Sequence, residues 1–128
     1  MSGENSQPED SESVSTILTN VADKRFLEKV HTIMAQHISD SDFSIDQMAE
    51  MLKMGRTEFY GKVKELTGMS PNKLLMSERM RIAAELLEEG ELNISEIGYR
   101  VGVSDASYFN KCFKQHFGVA PSKYKKGN

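Results

Sequence analysis

This 128-residue chain repeats itself, and the repeat restricts its fold more than any other feature. Ile45, Met48, Leu52 and Met54 recur 49 positions later as Ile94, Ile97, Val101 and Val103. Beyond the next turn the offset becomes 50, and Phe59, Val63, Lys64, Gly68 and Pro71 match Phe109, Phe113, Lys114, Gly118 and Pro121. One inserted residue near 105–107 accounts for the change. Coincidence among helical apolar positions does not explain the matched lysine, glycine and proline, because many positions must agree at once.

Each copy reads as helix, short turn, helix. Ser44 with Gln47, and Asn93 with Glu96, have the spacing of a capping box at a helix start. Ile45, Met48, Ala49 and Leu52 share one helical face, as do Ile94, Ile97 and Val101. The chain turns at 53–55 and again at 102–103. Second helices follow, with Phe59, Val63 and Leu66 inward in the first, and Phe109, Phe113 and Cys112 inward in the second. Ser104 or Asp105 caps the latter, and Gly68 and Gly118 end the two helices. Ala49 and Gly98 occupy equivalent positions, where the closely crossing helices need a small residue. Two helices joined by so short a turn form a helix-turn-helix. The predicted fold is therefore all-α: two helix-turn-helix units, about 44–67 and 93–117, joined by a connecting helix over about 71–89. Ser70 caps that helix and Pro71 suits its first position. At 1.5 Å per residue it is a rod of roughly 28 Å, against about 34 Å between successive major-groove faces of B-DNA. Upstream, Phe26, Leu27, Val30, Ile33, Met34 and Ile38 give residues 24–38 an apolar helical side.

Composition enters through charge. The formal net charge is −3, which as an average argues against a nucleic-acid partner. The average conceals a pattern. Residues 1–23 carry Glu4, Glu9, Asp10, Glu12 and Asp23 with no base, and this polar stretch is expected to be a disordered acidic tail or linker. Residues 53–73 sum to +3, residues 74–99 to −4 and residues 100–126 to +5. Two basic segments thus flank an acidic spacer, and each basic segment holds the second helix of a repeat. On charge alone such a basic stripe reads first as a solvated face, and otherwise as a surface for a phosphate backbone.

Catalysis finds no support. His31, His37 and His116 lie in different predicted elements without metal-ligand spacing. There is neither a Gly-rich phosphate loop nor a Ser-centred nucleophile elbow. No metal or cofactor is implied. One cysteine forms no internal disulfide, so a reducing, cytoplasmic setting is the expectation. No apolar run approaches the ~20 residues of a membrane span, and the polar first 13 residues do not read as a secretory leader.

The second unit, Ile97-Gly-Tyr-Arg-Val-Gly-Val-Ser-Asp-Ala-Ser-Tyr-Phe-Asn-Lys-Cys-Phe-Lys-Gln-His-Phe-Gly followed by Pro121-Ser-Lys-Tyr, resembles the DNA-binding domain of AraC-family transcription regulators. The connecting helix, with Leu74-Leu75, Arg79-Met80, Ala83 and Leu86-Leu87, is similar to the family's own. The resemblance covers about residues 24–124. Phe26-Leu-Glu-Lys-Val and Gly90-Glu-Leu-Asn-Ile-Ser-Glu-Ile further resemble the output domain of hybrid two-component regulators. In that setting residues 1–23 are a tether after a receiver or sensor domain of the same full-length chain, whose parent is membrane-anchored in some cases. The other readings are the DNA-binding half of a stand-alone ligand-responsive AraC-type regulator, and a helical protein-interaction module.

The resemblance implies double-stranded DNA as partner, with the second helix of each unit in a major groove and no membrane contact by this segment. The outward positions are then Arg56, Thr57, Tyr60, Gly61 and Lys64 in the first unit, and Ala106, Ser107, Asn110, Lys111 and Lys114 in the second. Base reading falls to Thr57, Tyr60, Gly61, Ala106, Ser107, Asn110 and Lys111. Lys111 can donate to guanine, Asn110 can pair with a base edge, and Thr57 can touch a thymine methyl. Phosphate contact falls to Arg56, Lys62, Lys64 and Lys114. The chain departs from the family pattern at Gly61, where an arginine is common, at Lys53, in place of a turn glycine, and at Gly55, in place of a capping serine. The first unit is therefore expected to be the less specific half. Arg79, on an apolar stripe, is expected to bond carbonyls or an acid within the fold. Tyr99, Tyr108 and Tyr124 are expected to pack with a polar tip, and Cys112 to fill the core.

Overall fold

Six α-helices and a final 3-10 turn form the described part of the computed structural model, which is the backbone of residues 2–124 and the side chains of residues 14–124. The helices are α1 (Ser2–Gln36), α2 (Ile45–Met51), α3 (Arg56–Thr67), α4 (Pro71–Glu89), α5 (Ile94–Arg100) and α6 (Ala106–Phe117), and the turn is Pro121–Lys123. The chain divides into two compact units, Met1–Thr32 and Ile33–Asn128.

Met1–Thr32 differs from the disordered tail expected over residues 1–23, because α1 begins at Ser2 and not near Lys24. Residues 9–23 contain neither glycine nor proline, and Val14, Ile17, Leu18 and Val21 recur at the spacing of one helical stripe. All four of these side chains are exposed. Met1, and residues 125–128 at the end of the expected DNA-binding body, lie outside the described residues.

Within Ile33–Asn128 the repeat is visible down to single hydrogen bonds. Ser44 and Gln47 close a full capping box at α2, as Asn93 and Glu96 do at α5. Across each tight turn the Met54 amide donates to the Ala49 carbonyl (2.9 Å), and the Val103 amide donates to the Gly98 carbonyl (2.8 Å). This close crossing explains the small residues. A Cβ on Gly98 would lie 2.7 Å from the Val103 carbonyl oxygen. Lys53 and Gly102 occupy the same place in the two turns, both left-handed, with φ of 58° and 79°.

α4 forms one wall of both helical pairs. α2 meets α3 and α3 meets α4, while α5 and α6 meet each other and α4. Met80, Ala83 and Ala84 of α4 close a core with Ile97, Val101, Val103, Phe109, Cys112 and Phe113. Phe59 and Val63 of α3 are fully buried, as are Phe109 and Phe113 of α6 to within 1%. Burying a phenylalanine contributes roughly 1.5–3 kcal/mol, so these anchors fix which face of α3 and α6 turns outward. Cys112 fills core as expected.

Arg79 is 6% exposed, and its Nη2 donates to the Asp40 carbonyl at 2.8 Å, as the sequence reading anticipated. Burial lowers its guanidinium from the ordinary value, an effect opposed by the nearby Asp40 charge. Among the described residues no helix is long and apolar enough to cross a membrane.

Candidate nucleic-acid interface

The outward faces of α3 and α6 follow from their inward anchors. At 100° per residue, fixing Phe59 and Val63 inward turns Thr57, Gly61 and Lys64 to the opposite side. Fixing Phe109 and Phe113 does the same for Ser107, Lys111 and Lys114. All six are exposed. The two stripes match residue for residue across the offset of 50: Thr57 with Ser107, Gly61 with Lys111, Lys64 with Lys114. Each stripe starts with a hydroxyl and ends with a lysine. The centre holds a cation in α6 and nothing in α3.

Around the α3 stripe lies an open groove of about 510 Å³, lined by Arg56, Thr57, Tyr60, Gly61 and Lys64 together with Ser70 and Pro71. The structure thus brings together five of the six residues assigned to DNA in the first unit. Tyr60 is half-buried, and the Arg56 guanidinium lies over its ring at 5.2 Å. Arg56 Nε also sits 3.4 Å from Asp46 Oδ1 on α2, with both side chains largely exposed. Such an exposed pair is worth about 0–1 kcal/mol, so the guanidinium can change partner at little cost.

Lys62 does not join the groove. It is half-buried and stands at the register of the buried Cys112, roughly 140–160° around the helix from Thr57 and Lys64. In α6, Ala106 and Asn110 are exposed on one flank of the stripe. Asp105 caps this helix by accepting from the Tyr108 amide at 2.8 Å, whereas Gly55 supplies no side-chain cap to α3.

Three features escaped the sequence reading. Tyr99 and Tyr108, expected to pack, are 72% and 50% exposed. Both belong to helical turns whose apolar positions are already taken by Ile97, Val101, Phe109 and Cys112. Tyr108, though half-exposed, still meets Cys112 with its side chain, and Tyr124 packs edge-on to Phe113 at 5.4 Å, its hydroxyl donating to Glu88 Oε2 at 2.7 Å. Ser70 and Pro71, read only as a helix start, also form one bank of the groove beside α3. Their place there follows from the tight α3–α4 corner and has no signature in residue type.

A family model described as a helix-turn-helix domain matches residues 48–127. The chain is 34% identical over 110 residues to histidine kinase P4 of Formosa agariphila, covering 86% of this chain and 8% of that protein. Among the curated relatives it matches first, the chain spans between 8% and 38% of their length. Among solved structures it is similar to the C-terminal domain of AraT, a response regulator from Geobacillus stearothermophilus. That match has 36% identity and a TM-score of 0.71, over 76% of this chain and 80% of that one. It is also similar to the DNA-binding domain of AdpA, a global transcriptional factor, solved in complex with a target DNA. There the identity is 26% and the TM-score 0.71, over 77% of this chain and 87% of that one.

Proposed function

This chain belongs to the AraC-type family of helix-turn-helix DNA-binding domains, and from that premise we propose that α3 and α6 enter successive major grooves of one duplex. It is a sequence-specific DNA-binding domain of transcriptional regulation, and its work is binding without catalysis. The single observation that carries the two-groove reading is the matched stripe, Thr57–Gly61–Lys64 and Ser107–Lys111–Lys114, held on two helices against one 19-residue α4. Lys111 and Asn110 lead base reading, assisted by Ser107, Ala106, Thr57, Tyr60 and the open face at Gly61. Lys64 and Lys114 are the paired phosphate contacts, with Arg56 exchanging Asp46 for a phosphate. Lys62, on the flank, contributes least to that set. The likeness to a histidine kinase chain and to a response-regulator domain supports a further proposal. Residues 24–128 are the output end of a two-component regulator, residues 1–23 are its tether to a receiver or sensor domain, and the domain works in the cytoplasm.

The test is selection of bound sites from random duplexes, followed by a salt series on the selected site. With the four assigned phosphate contacts, log affinity should fall against log salt with a slope of about −3 to −4, near −0.9 per contact. Lys111→Ala or Asn110→Ala should cost about 1–3 kcal/mol on that site and relax base preference. Lys64→Ala should weaken all duplexes alike and flatten the slope by about one, and Lys62→Ala should flatten it less. A flat salt response, or mutants of Lys111 that lose all sequences equally, would sink the reading.

A further inference from the structure

Both recognition helices lean on α4, and no substantial contact joins α2 or α3 directly to α5 or α6. The rigid α4 sets the main offset of the two units, and Arg79 stands where the three parts converge. It lies midway along α4. Its Nη2 reaches the Asp40 carbonyl, in the loop that leads into α2. The same carbonyl accepts the Phe43 amide at 3.1 Å, one residue before the Ser44 cap, so the guanidinium is bonded to the start of the first unit. The same end of the guanidinium lies against the turn of the second unit. A Cβ on Gly102 would lie 3.1 Å from Arg79 Cζ and Nη2, and 2.5 Å from the Ile38 carbonyl oxygen. Gly102 is left-handed, so the absence of a side chain serves both the turn and this three-way approach.

Beside the junction an open cleft of about 420 Å³ separates Phe43 and the α4 residues Leu75 and Met76 from Tyr108 and Cys112 of α6. Arg79 borders that cleft. Its Nε is buried without a hydrogen-bond partner. An unpaired buried donor lowers stability, so the position is not one that stability alone would select. The guanidinium is a rigid plane with fixed donor directions, unlike an ammonium, and suits a spacer that must hold a distance.

We propose that Arg79 is a positioning residue. By tying Asp40 of the first unit to the Gly102 turn of the second across α4, it fixes the offset between α3 and α6. It thereby sets the base-pair separation that the domain accepts between its two half-sites. The inference rests on the two-groove reading.

The experiment measures affinity for the selected duplex and for duplexes with one base pair inserted or removed between the half-sites. The chain should lose at least tenfold on either altered duplex. Arg79→Met keeps the buried stem and loses the tie, and its discrimination should fall at least threefold. Arg79→Lys should be intermediate. Thermal melts of each variant establish that it is folded at the assay temperature. If Arg79→Met does not fold, Arg79→Lys carries the test alone. A merely stabilising arginine lowers the melting temperature and weakens all three duplexes in proportion, so a folded variant with the original spacing ratio overturns the inference. Indifference of the unmutated chain to spacing overturns the two-groove reading and this inference with it, whereas failure of the arginine alone leaves that reading intact.

Discussion

Gly61 stands at the centre of the α3 stripe, at the register where α6 carries Lys111, and nothing lies within 4 Å of where its Cβ would be. A glycine inside a helix costs roughly 0.5–1 kcal/mol relative to alanine. Gly61→Ala should therefore raise stability by about that amount in a denaturant melt, since the new methyl meets no neighbour. Gly61→Arg should add a groove-facing cation, raise duplex affinity and steepen the salt slope by about one. If neither affinity nor slope changes, α3 does not approach DNA at this position. Lys53 makes the complementary point about backbone. It holds φ of 58° where Gly102 holds 79°, and the left-handed region costs an L-residue about 1–2 kcal/mol. Lys53→Gly should stabilise by up to about 1 kcal/mol, less the greater freedom of glycine in the unfolded chain. An unchanged or lowered melting temperature would show that the strain is relieved elsewhere. Both residues were conspicuous in the sequence because they depart from the pattern of the family that the chain resembles. Arg79 was legible as structural from its apolar surroundings, but its partners were not, since Asp40 and Gly102 are distant in sequence.

At the scale of elements, legibility followed from local chemistry. Capping boxes at Ser44–Gln47 and Asn93–Glu96 announced α2 and α5 because both partners lie within one helical turn. Ser70–Pro71 and Gly90 bounded α4 for the same reason. The helix over residues 2–23 was missed because the polarity of its first half outweighed the short stripe Val14, Ile17, Leu18 and Val21. The exposure of Tyr99 and Tyr108 was missed because residue type does not reveal which face a neighbouring helix covers. Tyr124 illustrates contact made over distance. Its hydroxyl bonds Glu88, fastening the final 3-10 turn to the last turn of α4. That bond, chiefly, with smaller effects of burial and of the Glu88 charge, raises the Tyr124 phenol above its ordinary value of 10.0. A group whose folded pKa is raised contributes stability that is fully present below its unfolded pKa and is lost as pH rises through the folded one. Tyr124→Phe should thus lower stability by about 1 kcal/mol at neutral pH. The gap between variant and parent should shrink only above about pH 10. A gap that persists unchanged well above pH 10 would assign it to packing against Phe113 and not to this hydrogen bond.

Across the whole molecule, the net charge of −3 describes no part of it. The acids concentrate at the N-terminal end and along α4, while α3 and α6 carry outward bases, so an acidic chain presents two basic stripes. These stripes are unequal. The α6 stripe combines Lys111 with Asn110, Ser107 and the Asp105 cap. The α3 stripe has a gap at Gly61, a cap without a side chain and an Arg56 shared with Asp46. Phosphate contacts hold a protein on any duplex, and base contacts select among duplexes. The two units should accordingly divide the work, the first contributing affinity and the second discrimination. Scrambling the base pairs under α6 in the selected duplex should cost about 1–3 kcal/mol for each position read. Scrambling those under α3 should cost clearly less, with the salt slope almost unchanged in both cases because the phosphates remain. Gly61→Arg should narrow the difference if the added side chain reaches a base edge. Competition binding of the two scrambled duplexes measures the asymmetry, and equal costs for the two halves would mean that the open face of α3 reads sequence as well as the lysine of α6.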